Sequence, residues 1–110
     1  MTYEISTTAD GSTRLSIKGE LDALSVPDLR REIDGIISRR LPRVEVDLSH
    51  LRMIDSSGVG AVVSLYKRSR AQGGQVQVTG LHDQPLAIFR LLRLDRVLTG
   101  AEGRSGSLGT

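Results

Sequence analysis

The stretch Met53-Ile54-Asp55-Ser56-Ser57-Gly58-Val59-Gly60 concentrates the side chains best able to do chemistry: two adjacent hydroxyls, a carboxylate beside them, and two glycines. Serines in such a setting suit nucleophilic attack, nucleotide binding or the holding of an anion. A nucleophile elbow needs glycines flanking the serine, and Ser56 and Ser57 lack them. Gly58-Val59-Gly60 begins a dinucleotide fingerprint, but Val63 stands where its third glycine belongs, and the Gly-Lys-Ser/Thr of a phosphate-cradling loop is absent. His50 and His82 are the only imidazoles. Neither has a metal-ligand spacing or a recognisable triad partner, and both read as solvated loop residues. Two readings remain open for the serine loop. It is either a helix start whose free N–H groups hold an anion, or a plain cap followed by glycines that pack tightly on a sheet. Gly58 and Gly60 each cost a helix about 1 kcal/mol relative to alanine, and close approach by another backbone is a sufficient reason for them. A second acidic segment, Gly19-Glu20-Leu21-Asp22, is by itself ordinary turn chemistry at a strand end.

These loops must be positioned by regular elements, and the apolar periodicity supplies them. Residues 2 to 7 and 13 to 19 alternate apolar and polar around the turn Ala9-Asp10-Gly11-Ser12, which predicts a hairpin. Val26, Leu29, Ile33, Ile36 and Ile37 share one helix face, predicting a helix from Val26 to Arg40 with Ser25 as its N-cap. Val44, Val46 and Leu48 alternate in a third strand, followed by a loop from Ser49 to Ser56. A second helix runs from Ser57 to Gln72, with Ser57 placed to cap it. Its apolar residues spread beyond one stripe, so Gly58 to Ala61 are expected to be exposed and to centre a partner surface. Val76 and Val78 mark a fourth strand, Pro85 to Leu94 a third helix, and Val97-Leu98 a last short strand. The order predicts an α/β domain: a small mixed sheet of four to five strands, with three main helices largely on one face. The boundaries are 1–99 for the domain and 100–110 for a Gly/Ser-rich disordered tail.

Composition narrows the function. One domain fits in 110 residues, and the absence of cysteine removes disulfides, thiol catalysis and cysteine-ligated metals. The net charge is +2 with acids and bases interspersed, and the only aromatics are Tyr3, Tyr66 and Phe89. Neither a basic stripe nor a stacking platform for nucleic acid results. No apolar run reaches the roughly 18 residues of a membrane span, and no leader is visible, so a cytoplasmic protein without nucleic-acid or membrane partners is expected.

Taken together, Gly19-Glu20-Leu21-Asp22, Val46-Asp47-Leu48-Ser49, Ile54-Asp55-Ser56-Ser57-Gly58-Val59-Gly60, Tyr66-Lys67-Arg68, Gly73-Gly74 and Ile88-Phe89 are specific. From Tyr3 to about Leu98 the chain resembles the STAS-domain anti-anti-sigma factors, bacterial antagonists of anti-sigma kinases. The resemblance implies a single STAS-type domain, no enzymatic activity and no cofactor. It places phosphorylation on Ser56, flanked by Asp22 and Asp55. Partner binding would fall on Asp22, Asp55, Ser56, Ser57, Gly58, Val59, Gly60 and Ala61. The implied partners are an anti-sigma factor serine kinase with a histidine-kinase-like ATPase fold and a PP2C-type phosphatase acting on phospho-Ser56. The alternative is an unphosphorylated STAS subunit of a lipid or anion transporter complex. A C-terminal tail rich in Gly and Ser departs from the family's final helix.

Overall fold

The computed structural model describes residues 1–99, so the expected tail lies outside the described residues. Strand β1 (Thr2–Thr7) and strand β2 (Thr13–Leu21) form the hairpin, pairing Tyr3 with Ile17 and Ile5 with Leu15. Its turn is held by Asp10, whose carboxylate accepts from the Thr8 hydroxyl and from the Ser12 N–H at 3.0 Å. Those bonds favour the ionised form and lower the Asp10 pKa to about 2. Helix α1 (Val26–Ser38) leads to β3 (Arg43–Asp47), a short turn to β4 (Leu51–Ile54), then helix α2 (Ser56–Ala71) and β5 (Gln75–Thr79). Helices α3 (Asp83–Leu91) and α4 (Asp95–Thr99) follow.

The sheet runs β1-β2-β3-β5, with β4 also beside β2. All pairings except the hairpin are parallel, as the α-helical crossovers require. The nine-residue β2 serves two partners. Its first half pairs with β3, Leu15 opposite Val46. At Gly19, whose φ of 89° only glycine adopts freely, the register shifts and the second half pairs with β4, Leu21 opposite Ile54. Strand β4 therefore replaces much of the loop expected between Ser49 and Ser56. It escapes periodicity because it has four residues, buried only at Leu51 and Ile54.

Leu15, Ile17, Val44, Val46, Val76 and Val78 point to one face of the sheet and meet Leu29, Ile33 and Ile36 of α1 and Val62 and Leu65 of α2. The alternating polar residues face the other way and bond across strands: Arg14 to Glu45 at 3.1 Å, Thr79 to Glu45 at 2.7 Å and Ser16 to Asp47 at 3.4 Å. The layering is thus the one-sided mixed arrangement that the alternation predicts. The end of the described chain differs from expectation. Val97 and Leu98 lie in α4 and not in a strand; the Leu98 N–H bonds the Leu94 carbonyl, and Leu98 is buried in the core. Two apolar neighbours carry no period, whereas Leu94 and Leu98 are one helical turn apart.

Candidate functional site

Parallel strands β2 and β4 end side by side, and the serine loop grows out of their carboxyl ends. Asp55, in extended conformation, caps α2: its Oδ1 accepts from the Gly58 N–H at 3.0 Å. The same carboxylate reaches the neighbouring loop, its Oδ2 accepting from the Ala23 N–H at 3.2 Å, while the Asp55 N–H donates to the Leu21 carbonyl at 3.1 Å. Ser57 was the expected cap; it lies inside the helix as its second residue, because Asp55 takes that position first. Ser56 is the first helical residue.

The β2–α1 loop has the same internal logic. Asp22 Oδ1 accepts from the Leu24 and Ser25 N–H groups at 3.0 and 3.1 Å, and Ser25 Oγ accepts from the Asp22 N–H at 3.0 Å. The Ser25 side chain therefore does not cap α1 as expected, being turned back to Asp22. The Ala23–Asp55 bond joins the Asp22 loop to the serine loop, and the carboxylates on both sides are taken up by backbone N–H groups.

Exposure separates the expected binding residues. Ser56 and Gly60 are exposed, Asp22, Asp55 and Ser57 half-buried, and Gly58, Val59 and Ala61 buried. The expectation that Gly58 to Ala61 are all exposed is therefore corrected: the side chains of Val59 and Ala61 fill the core, so the apolar spread of α2 serves packing. The glycines also differ. A Cβ on Gly58 would lie 2.6 Å from Ile54 Cγ1 and 2.9 Å from the Leu21 carbonyl oxygen, which is the close backbone approach anticipated for it. A Cβ on Gly60 would meet only an Arg30 guanidinium nitrogen, at 3.9 Å.

Several neighbours of the site were not among the expected residues. Leu24 is 92 % exposed and Met53 51 % exposed, giving an apolar rim near the acidic loops. Leu24 had a signal, an apolar residue in a turn off the period of the following helix. The Gln84 side chain pairs with both backbone groups of Ile54 at 2.9 Å each, closing the outer edge of β4. His82 is more engaged than a solvated loop residue. Its Nε2 lies 2.7 Å from the Ser49 carbonyl and its Nδ1 2.7 Å from the Asp83 carboxylate, and the Asp83 bond first, then Ser49, raises its pKa. Among the described residues there is no group of three or more His, Asp or Glu side chains able to hold a metal, and no helix is long and apolar enough to cross a membrane.

The family model described as "Mlab, STAS domain" matches residues 6–100. This chain belongs to the STAS domain family. The anti-sigma-B factor antagonist of Bacillus subtilis is 24 % identical over 89 residues, covering 81 % of each chain. An anti-sigma factor antagonist from Mycobacterium paratuberculosis has the same fold, with a TM-score of 0.78 at 23 % identity over 88 % of this chain and 81 % of that one. The Bacillus cell fate determinant SpoIIAA, solved in its phosphorylated form, superposes with a TM-score of 0.70 at 21 % identity, covering 84 % and 85 %. The five-stranded mixed sheet and four helices described above are thus those of a STAS domain.

Proposed function

We propose that this STAS domain is a non-enzymatic, cytoplasmic anti-sigma factor antagonist switched by phosphorylation of Ser56. Unphosphorylated, it binds an anti-sigma factor that is also a serine kinase with a histidine-kinase-like ATPase fold, and so frees the sigma factor. The kinase transfers the γ-phosphoryl group of its ATP to Ser56 Oγ. The new O–P bond forms as the bond to the ADP oxygen breaks, and the hydroxyl proton leaves to a base of the kinase. A PP2C-type phosphatase reverses the modification by hydrolysis.

The observation that carries this reading is the placement of Ser56: exposed, first in α2, directly after the residue that caps the helix. Ser57, one residue on, is half-buried. Leu24 and Met53 offer apolar contact for a docked partner. A group of about −1.5 to −2 charge introduced at Ser56 must be desolvated when such a partner docks, which weakens the contact. A loss of about 2 to 3 kcal/mol corresponds to roughly 30- to 150-fold in affinity.

The test is incubation with the cognate kinase and ATP, site mapping by mass spectrometry, and recovery of partners from the native cell. Phosphate is expected on Ser56, with Ser56→Ala unmodified and permanently able to bind. Gly60→Arg, at an exposed position, should abolish binding and leave the fold. Phosphate on Ser57, or incorporation into Ser56→Ala, would overturn the assignment. Recovery of a membrane transporter complex in place of an ATPase would overturn the function.

A further inference from the structure

Helices α1 and α2 lie side by side, tied by Arg68 Nη1 to Asp34 Oδ1 at 2.8 Å and by Gln72 Nε2 to the Ile37 carbonyl at 3.1 Å. The acids along α1 are occupied: Asp28 pairs with Arg31, Glu32 with Arg39 at 3.9 Å, and Asp34 with Arg68. Arg30 is exposed on the same helix, and among the described residues it takes part in no ion pair. Its guanidinium comes to rest over α2 where residue 60 has no side chain, one nitrogen 3.9 Å from the place a Cβ would take.

That place matters because of helix geometry. Side chains of a helix lean toward its N-terminus, so residue 60 covers the surface of the preceding turn, the turn that carries Ser56. Residues 56 and 60 are four apart and share a face, their Cβ positions roughly 5–6 Å from each other. Gly60 therefore leaves vacant the surface next to Ser56, and Arg30 lies over it as a cation that pairs with no carboxylate among the described residues.

We infer that Arg30 is the internal counter-ion of phospho-Ser56, its guanidinium held over Gly60 where it can donate to the phosphate oxygens. The inference rests on the proposed modification of Ser56 and adds what receives it. Guanidinium and phosphate match as planar donor fork and multiple acceptor. Phosphorylation then does two things to the exposed face: it adds an anion at residue 56 and draws the open cation at residue 30 onto it. The side chain at position 60 becomes a specificity element, since any bulky residue there would hold the two apart.

The test installs phosphoserine at position 56 during translation by an expanded genetic code, so it does not depend on a kinase. The phosphate is then titrated by phosphorus NMR at low ionic strength. Beside a guanidinium the second ionisation should fall below its ordinary value of about 6 by roughly half a unit or more. Arg30→Gln and Gly60→Leu, the second displacing the guanidinium, should both raise it relative to the parent. Arg31→Gln, whose side chain is paired with Asp28, should leave the lowered one unchanged. Identical titrations in the parent and Arg30→Gln would overturn the inference. A kinase that never modifies Ser56 would instead overturn the proposed switch, and the installed phosphoserine would still report on Arg30.

Discussion

Gln84 and Ile54 are joined as two strands would be: the side-chain amide donates to the Ile54 carbonyl and accepts from the Ile54 N–H, both at 2.9 Å. One side chain thereby completes the backbone bonding at the outer edge of β4, one residue before Asp55. Removing it leaves two part-buried backbone groups without a protein partner, at a cost of about 1–3 kcal/mol. Gln84→Ala should therefore lower the melting temperature by several degrees and speed hydrogen exchange at the Ile54 amide. Gln84→Glu keeps the acceptor but sets a carboxylate against the Ile54 carbonyl, so it should be destabilised at neutral pH and partly rescued by acid. Unchanged exchange at Ile54 in Gln84→Ala would refute the role.

The cap of α2 gives a second expectation. Asp55→Ala removes the bond to Gly58 and the one to Ala23, and should cost about 0.5–2 kcal/mol or slightly more in urea unfolding. Ser57→Ala, inside the helix, should stay within about 0.5 kcal/mol of the parent. This order reverses what the serine pair suggests by itself.

The two glycines should respond oppositely. Gly58→Ala forces a methyl against Ile54 and the Leu21 carbonyl and should cost about 1–3 kcal/mol. Gly60→Ala meets only ordinary contact and should be neutral or gain up to about 1 kcal/mol from helix propensity. Thermal unfolding of both variants measures the difference.

His82 links the β3–β4 turn to α3, and its pKa is raised in the folded chain. A group whose folded pKa lies above its unfolded value contributes stability that is fully present below the unfolded value, about 6.5, and lost as pH rises through the folded one. The advantage of the parent over His82→Gln should therefore be greatest in mild acid and shrink with increasing pH. An imidazole titration by NMR that finds a value at or below 6.5 would contradict the bridge.

The hairpin, α1, β3 and β5 were legible because each carries its own period: Leu15 and Ile17 alternate, and Leu29, Ile33 and Ile36 recur by helical turns, whereas α2 was bounded by the serine loop and Gly73-Gly74. Strand β4 was not legible, since its identity depends on β2 shifting register at Gly19, far earlier in the chain. The serine loop stood out through residue types, but Asp55, Ser56 and Ser57 are all good caps, and only the folded backbone chooses among them. Gln84, Arg30 and His82 act on residues about thirty positions away in the chain. Long-range partners of that kind leave no local pattern to read.

The bond between Ala23 and Asp55 joins residues 32 apart in the chain, just beyond the end of the β2–β4 pairing. Closing long loops delays assembly, because the entropy is lost before the contacts are made. The tie between the two loops is therefore expected to be among the later contacts to form, whereas the Asp55–Gly58 cap, spanning three residues, can form locally. An incomplete chain can thus carry Ser56 on a turn that is not yet tied to the Asp22 loop. On the proposed function, a kinase that reads both loops together would act on finished molecules and pass over incomplete ones, making assembly itself a condition of being regulated.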